Sequence, residues 1–435
     1  MDGHVAIPQL AANPPVARSR PRVTDLLRAG LYLGAIGFGG GLSVLANIQA
    51  YVVTRKRWLT DRELTNTVTV AQMLPGGASA NSLAYIGLRF GGGRGALAAY
   101  VGFVLPGFAC VLALAWAYVR FGTTPDLATV LGGFNAAVVG IIASITLKMV
   151  RTSVSRLWQM GVAALALLFS AVGNAPPGEI VLVAIAAGLA VDLGTKRARL
   201  ASVRRRRKSD QEPPVALPEE GQPLETSPKP PETSPKPPEP LSSPWPAAVF
   251  SVLAAARLTG VDGDLLQMGL TFFRTGLGAY GGGFAIVPHL KSVIDTRGWL
   301  TDRQFADAVA IGKLTPGPVL LLGTFIGYLR HRLLGAVVAT ASIFAAPFLL
   351  VVLAGSTLDR LRSRRFVRAG LRGLTPAVLG LMAAAAIALG DQLAGESEIG
   401  IAVAVALTLS RFPLNPALML LIGGVARLSL RMVGL

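Results

Sequence analysis

Two glycine clusters and two Pro-Gly turns are the residues of this sequence best suited to chemistry. The clusters are Phe38-Gly39-Gly40-Gly41 and Tyr280-Gly281-Gly282-Gly283. The turns are Leu74-Pro75-Gly76-Gly77 and Thr315-Pro316-Gly317-Pro318. All four fall inside apolar runs, where a helix is weakened by Gly and loses a backbone donor at Pro. A helix that stops and restarts there presents unpaired N–H groups and a partial positive charge. Glycine lets an oxyanion approach that backbone closely. Close helix packing through small residues would explain a single triple glycine equally well. Four interruptions at matching positions point instead to an anion-binding site.

Polar side chains beside the turns sharpen this reading. The first turn has Asn66, Gln72, Ser79 and Asn81 nearby, and the second has Asp307, Lys313 and Thr315. Lys313 lies three residues before Pro316 in an otherwise apolar stretch. An ionisable residue at such a place is costly and functional by default. It would serve as counter-charge to a dianion, or else pair with an acid on another helix. Asp307 fits the second role poorly, because six positions along a helix turn it to another face. Arg274 is nearer a helix end, where snorkelling explains it. The candidate substrate-binding set is therefore Gly39, Gly40, Gly41, Gln72, Pro75, Gly76, Gly77, Asn81, Gly281, Gly282, Gly283, Lys313, Thr315, Pro316, Gly317 and Pro318.

Enzymatic and metal chemistry find little support. His4, His289 and His331 are scattered, and Cys110 is the only cysteine, so no intrachain disulfide and no cysteine metal cluster can form. There is no Walker-type glycine-lysine loop. No cofactor is expected. A membrane enzyme acting on a lipid phosphate is disfavoured, because no His/Asp/Glu cluster gathers at a membrane face.

The elements that position these residues are membrane helices. Of the 435 residues, 52% are hydrophobic and only 15% charged, against about 25% charged in soluble domains. Gly95–Val119, Leu127–Leu147 and Leu333–Leu358 contain no charge, and each is long enough to cross a bilayer. The net charge of +18 clusters between the apolar runs. That favours membrane topology and lipid contact over nucleic-acid binding.

The chain is two copies of one domain. Trp58-Leu59-Thr60-Asp61-Arg62 is identical to Trp299-Leu300-Thr301-Asp302-Arg303, Pro106 falls opposite Pro347, and the glycine clusters and Pro-Gly turns match as well. So many ordered matches at offsets of 240 to 242 residues mean duplication. The Trp motif reads as a helix start, with Trp at the membrane interface and Thr or Asp as the cap. Each half contains about six apolar segments. In the first they lie near 26–53, 64–88, 95–119, 128–148, 157–173 and 178–193. In the second they lie near 265–290, 305–329, 333–358, 369–390, 398–411 and 413–430. The expected layout is a disordered cytoplasmic tail at 1–22, a first repeat at 23–195, a basic and Pro-rich cytoplasmic linker at 196–244, and a second repeat at 245–435. The linker carries the repeat Glu225-Thr-Ser-Pro-Lys-Pro-Pro231, again at 232–238, and reads as a spacer. No cleavable signal peptide is evident in residues 1–22.

Charge orients the halves. With a cytoplasmic N-terminus, Arg89, Arg94, Lys148, Arg151, Arg156 and the basic block at 196–208 lie inside, whereas Arg55, Lys56 and Arg57 fall outside, against the positive-inside rule. Inverting the second half brings Arg360, Arg362, Arg364, Arg365, Arg368 and Arg372 inside. A short apolar segment at 244–256 supplies the odd crossing. The expectation is an all-α integral membrane protein with two inverted repeats and 12–13 spans.

Phe-Gly-Gly, then Trp-Leu-Thr-Asp, then Leu-Pro-Gly-Gly or Thr-Pro-Gly-Pro, then a Gly- and Ala-rich helix reaching Pro106 or Pro347, resembles the chromate ion transporter family in its long two-domain form. Gly41 and Gly77 stand where that family usually has proline, and Lys313 where it usually has glutamine. The resemblance implies a secondary transporter of the inner membrane that moves chromate out of the cytoplasm and confers chromate resistance. Sulfate is the close analogue, and its uptake is the rival reading. A homodimer would be compatible with that family.

Overall fold

The computed structural model describes residues 20–38, 41–121, 124–154, 156–172, 175–209, 263–361, 365–393, 395–412 and 414–433. Among them are fourteen α-helices and no strand. The first half contains α1 (Val23–Ala35), α2 (Gly41–Gln49, extended by a π turn to Arg55), α3 (Asp61–Met73), α4 (Ala78–Phe121), α5 (Pro125–Ser153), α6 (Leu157–Ala171) and α7 (Pro177–Ser209). The second contains α8 (Gly263–Leu277), α9 (Val287–Arg297), α10 (Asp302–Leu314), α11 (Leu322–Leu361), α12 (Arg365–Gly390), α13 (Glu396–Arg411) and α14 (Pro416–Met432). The tail to residue 19, the Pro-rich stretch and the segment 244–256 lie outside the described residues. The basic block at 196–208 is a helical continuation of α7.

Five helices are long and apolar enough to cross a membrane: α4, α5, α7, the α11 region and α12. The first two apolar segments of each half are different. Each is split into two half-length helices at the glycine cluster or the Pro-Gly turn. A 13-residue helix such as α1 or α3 is about 20 Å long, against a core of about 30 Å, so it reaches only part of the way across.

The half-length helices enter and leave on the same side. Glu63 at the start of α3 pairs with Arg89 near the end of the first arm of α4, at 2.7 Å. Asp61 accepts a hydrogen bond from Gln49 of α2 at 2.7 Å. Val23 at the start of α1 lies beside Gly91, where α4 turns back on itself. The start of α1, the end of α2, the start of α3 and the α4 turn therefore share one end of the molecule. This corrects the span-counting expectation that Arg55, Lys56 and Arg57 lie opposite Arg89 and Arg94. They lie together, and the anomaly in the charge pattern disappears.

The second half repeats this unit upside down. Its α8 starts beside the turn of α11, where Asp264 meets Arg330 at 2.8 Å and His331 at 2.9 Å. Helix α5 runs alongside α13, with Gly132 at Glu398 and Gly140 at Ala402, and against α14, with Asp126 at Arg431 and Gly133 at Gly423. Helix α12 is the counterpart of α5, and a short connector sets it antiparallel to α13. Equivalent helices of the two halves thus point in opposite directions, which is the inverted arrangement. Each half also completes the other: α12 packs on α6 and α7, through Gly380 at Ala163 and Gly373 at Ala184. One end collects the basic residues of α2, the α4 turn, α5, α7 and α12. The far end holds Asp126, Asp264, Asp295, Asp302, Asp391, Glu396 and Glu398, with Lys291, Arg330, Arg427 and Arg431 paired among them. Helix α7 finishes at the basic end and α8 begins at the far end.

The repeated Trp motif forms a helix start in both halves. Thr60 and Thr301 accept from the N–H of Glu63 and Gln304, which bond back in capping boxes. The tryptophans differ from expectation. Trp58 and Trp299 are buried, packed against Tyr51 and Phe272 rather than set out at the lipid interface.

Two predictions follow from this geometry. In a Cys110→Ala background, Lys56→Cys and Gly92→Cys react with an impermeant maleimide from one side of the membrane, and Gly298→Cys from the other. Labelling of the first two from opposite sides would remove the re-entrant arrangement. The second concerns the turns of α4 and α11. Gly92 has φ +56°, and its counterpart Arg332 adopts the same conformation at φ +51°, which a side chain disfavours. Arg332→Gly should stabilise the protein by about 1 kcal/mol, read as a raised unfolding midpoint in detergent.

Candidate functional site

The Pro-Gly turns are shaped by their own residues. Proline pushes the residue before it into an extended conformation. Leu74 and Thr315 accordingly end α3 and α10 at ψ 148° and 153°. Gly76 and Gly317 follow at φ +103° and +106°, a conformation left to glycine. The chain then reverses and starts the next helix, so its first N–H groups face the turn.

The four interruptions meet at the centre of the protein. Gly76 N–H donates to the carbonyl of Ala279 at 2.7 Å, and Gly317 N–H donates to the carbonyl of Gly37 at 3.0 Å. Gly76 and Gly317 are equivalent positions, as are Gly37 and Ala279. The two bonds are thus one bond made twice by the pseudo-twofold symmetry, each joining a turn of one half to the broken first segment of the other. A Cβ on Gly77 would lie 3.3 Å from the Cβ of Pro318, its own counterpart. Equivalent atoms touch only at a symmetry axis, so the axis passes between the two tips. The proline helices close the arrangement reciprocally. Pro347 of α11 packs on Gly76, and Gly107 of α4 faces the carbonyl of Pro316.

The structure distributes the candidate residues as follows. Pro75, Gly76, Gly77, Pro316, Gly317 and Pro318 form the two tips. Gly281, Gly282 and Gly283 open a 3-10 turn reaching Ile286, and Gly283, at φ +96°, lies against Val319 and Leu320 just past the second tip. Gly41 begins α2, while Gly39 and Gly40 lie outside the described residues. Lys313 is half-buried, with its Nζ 5.1 Å from the centre of the Phe284 ring, which follows the triple glycine. Among the described residues no carboxylate pairs with it. Thr315 is buried, and its hydroxyl donates to Ile311 within its own helix. Asn81 is buried and donates to the carbonyls of Ala71 and Pro75. Gln72, the counterpart of Lys313, is exposed.

Asp307 belongs to a network that the sequence did not disclose. It is 1% exposed and accepts from the Tyr118 hydroxyl and the Asn135 amide, both at 2.9 Å. Its partners are 189 and 172 residues away, on α4 and α5 of the other half. Sequence separation of that size leaves no local signal. A polar cavity of about 260 Å³ opens towards the far end, lined by Ser170, Lys291, Ser292, Asp295, Thr296 and Asp391.

Comparison with known proteins agrees with the geometry. The family described as Chromate transporter matches residues 24–191 and 266–428, one stretch in each half. A chromate transport protein of Cupriavidus metallidurans is 33% identical over 82% of this chain and 80% of its own length. A probable chromate transport protein of Synechococcus elongatus is 31% identical over 83% of each chain. A chromate transport protein of Pseudomonas aeruginosa is 25% identical over 82% of this chain and 78% of its own. No solved structure matches the chain. With both repeats matched and the paired interruptions meeting on one axis, this multi-pass membrane protein belongs to the chromate transporter family.

Proposed function

We propose that the protein exports chromate across the cytoplasmic membrane, carrying it through the centre where the four interruptions meet. The observation that carries this reading is the reciprocal pair of bonds from Gly76 to Ala279 and from Gly317 to Gly37. It gathers the helix starts of both halves around one axis, with Lys313 as the nearby positive charge. Such a centre offers N–H donors and a cation to an oxyanion at the depth where transporters bind substrate. The basic end is the cytoplasmic one by the positive-inside rule. The far-end cavity beside Lys291 would then lie on the exit side.

Membrane potential suffices to drive export. Each negative charge leaving a negative interior gains about 2.3 kcal/mol per 100 mV. The test is uptake of labelled chromate into inside-out vesicles with the lumen made positive. Uptake that disappears when the potential is collapsed supports the reading. Folded protein that takes up sulfate and no chromate would transfer the function to sulfate, and uptake of neither would end it.

A further inference from the structure

We infer that Arg55, Lys56 and Arg57 form a collecting surface for doubly charged oxyanions at the cytoplasmic end; this rests on the export reading above. The three residues are consecutive and exposed. They lie between α2 and α3, the half-length helices whose other ends are the first triple glycine and the first Pro-Gly tip. An anion gathered there stands at the cytoplasmic end of the two helices that lead to the centre.

The charge of this surface is left uncancelled. Arg55 lies 5.9 Å from the centre of the Tyr32 ring and 5.8 Å from that of Tyr51, and Lys56 lies 5.9 Å from Tyr51. An aromatic face steadies a cation without neutralising it, whereas a carboxylate does both. The nearby carboxylates are engaged elsewhere. Asp25 accepts from the Arg22 N–H, Asp61 accepts from Gln49, and Glu63 pairs with Arg89. Among the described residues no carboxylate pairs with any of the three cations.

The fold does not demand these charges. The equivalent loop of the second half is Asp295-Thr296-Arg297-Gly298, with one acid and one cation, and it leads into the same Trp-Leu-Thr-Asp-Arg sequence. Topology does not account for Arg57 either. It is held at φ +53°, a conformation that its counterpart Gly298 adopts at φ +60° and that a side chain disfavours. A charge serving only to keep the loop in the cytoplasm could stand at an unstrained position beside it. Strain kept at an exposed cation points to a ligand. Clustered charge of one sign concentrates its counter-ion, and a dianion gains twice the energy of a monoanion. Phosphate headgroups of anionic lipid share this chemistry, so the test separates the two sources.

The full chain is reconstituted in phosphatidylcholine, which has no net charge, with its cytoplasmic end outward. Uptake of labelled chromate is measured at one imposed potential. Arg57→Gly copies the second half and relieves the backbone, so misfolding does not confuse the result. Its KM should rise about threefold at about 10 mM salt, where the screening length is about 30 Å. The difference should shrink at about 150 mM salt, where that length is about 8 Å. The change should fall on KM rather than on the maximal rate. Arg332→Gly, which removes a charge from the same conformation at the far end, should leave KM as it is. Equal KM for Arg57→Gly and wild type at low salt overturns the proposal. So does a difference that emerges only after anionic lipid is added, which would assign the surface to headgroups. If folded wild-type protein takes up no chromate, the export reading fails separately. The surface is then read without transport, at Thr54→Cys in a Cys110→Ala background, since Thr54 is exposed beside Arg55. Arg57→Gly should slow its modification by an anionic methanethiosulfonate about threefold relative to a neutral one, and an unchanged ratio overturns the proposal.

Discussion

Lys313→Gln should slow oxyanion transport about 100-fold while leaving the protein folded. Removing one partner of a close charge pair costs about 2–5 kcal/mol, and each 1.36 kcal/mol is a factor of ten. Glutamine is the informative replacement because Gln72 holds the equivalent place in the first half. Stability should move the other way. A lysine at the bilayer centre costs about 2.5–3.5 kcal/mol, and Lys313 has only the face of Phe284 to offset this among the described residues. The unfolding midpoint of Lys313→Gln should therefore equal or exceed that of the wild type. Transport within threefold of wild type would remove Lys313 from the mechanism. A lowered midpoint would instead make it a structural residue.

Gly373→Val should cost about 3 kcal/mol and sharply reduce the yield of folded protein. A Cβ at this position would collide with the carbonyl of Ala184 and lie 3.1 Å from the amide nitrogen of Gly188. Both neighbours are helix backbone, which cannot rotate away as a side chain can, so α12 and α7 must separate. Overpacking a tight contact costs about 1–3 kcal/mol, and a backbone clash belongs at the upper end. Gly400→Val on α13 is the control, since nothing lies within 4 Å of a Cβ there. Size-exclusion profiles and unfolding midpoints in detergent would check both. Equal behaviour of the two variants would mean that the halves do not depend on these glycine contacts.

Much of this architecture was legible in the residues. The duplication was visible because Trp58–Arg62 recurs unchanged, and the interruptions because glycine and proline are conspicuous in apolar runs. The inverted orientation could be read from Arg360–Arg372, whose charges have to share a side with Arg89 and Arg94. The sidedness of Arg55–Arg57 could not be read that way. Hydropathy treats 26–53 as one crossing, whereas the break before Gly41 leaves two helices too short to cross. Trp58 and Trp299 were misplaced for a related reason: composition puts tryptophan at a lipid interface, and only the fold brings Tyr51 and Phe272 against them. The set of tip residues followed from backbone chemistry. The reciprocal bonds and the Asp307 network did not, because they join residues on opposite halves of the chain.

The exchange of helix partners between halves has a consequence for biogenesis. When α5 leaves the ribosome, its packing partners α13 and α14 are some 250 residues from being made. At about 5–20 residues per second, the first half waits roughly ten to fifty seconds in the membrane with its glycine faces uncovered. It is thus an obligate intermediate rather than a finished module, and lipid or an insertion factor has to occupy those faces in the meantime. A gene encoding only one half could yield a stable product if its chains entered the membrane in both orientations and paired.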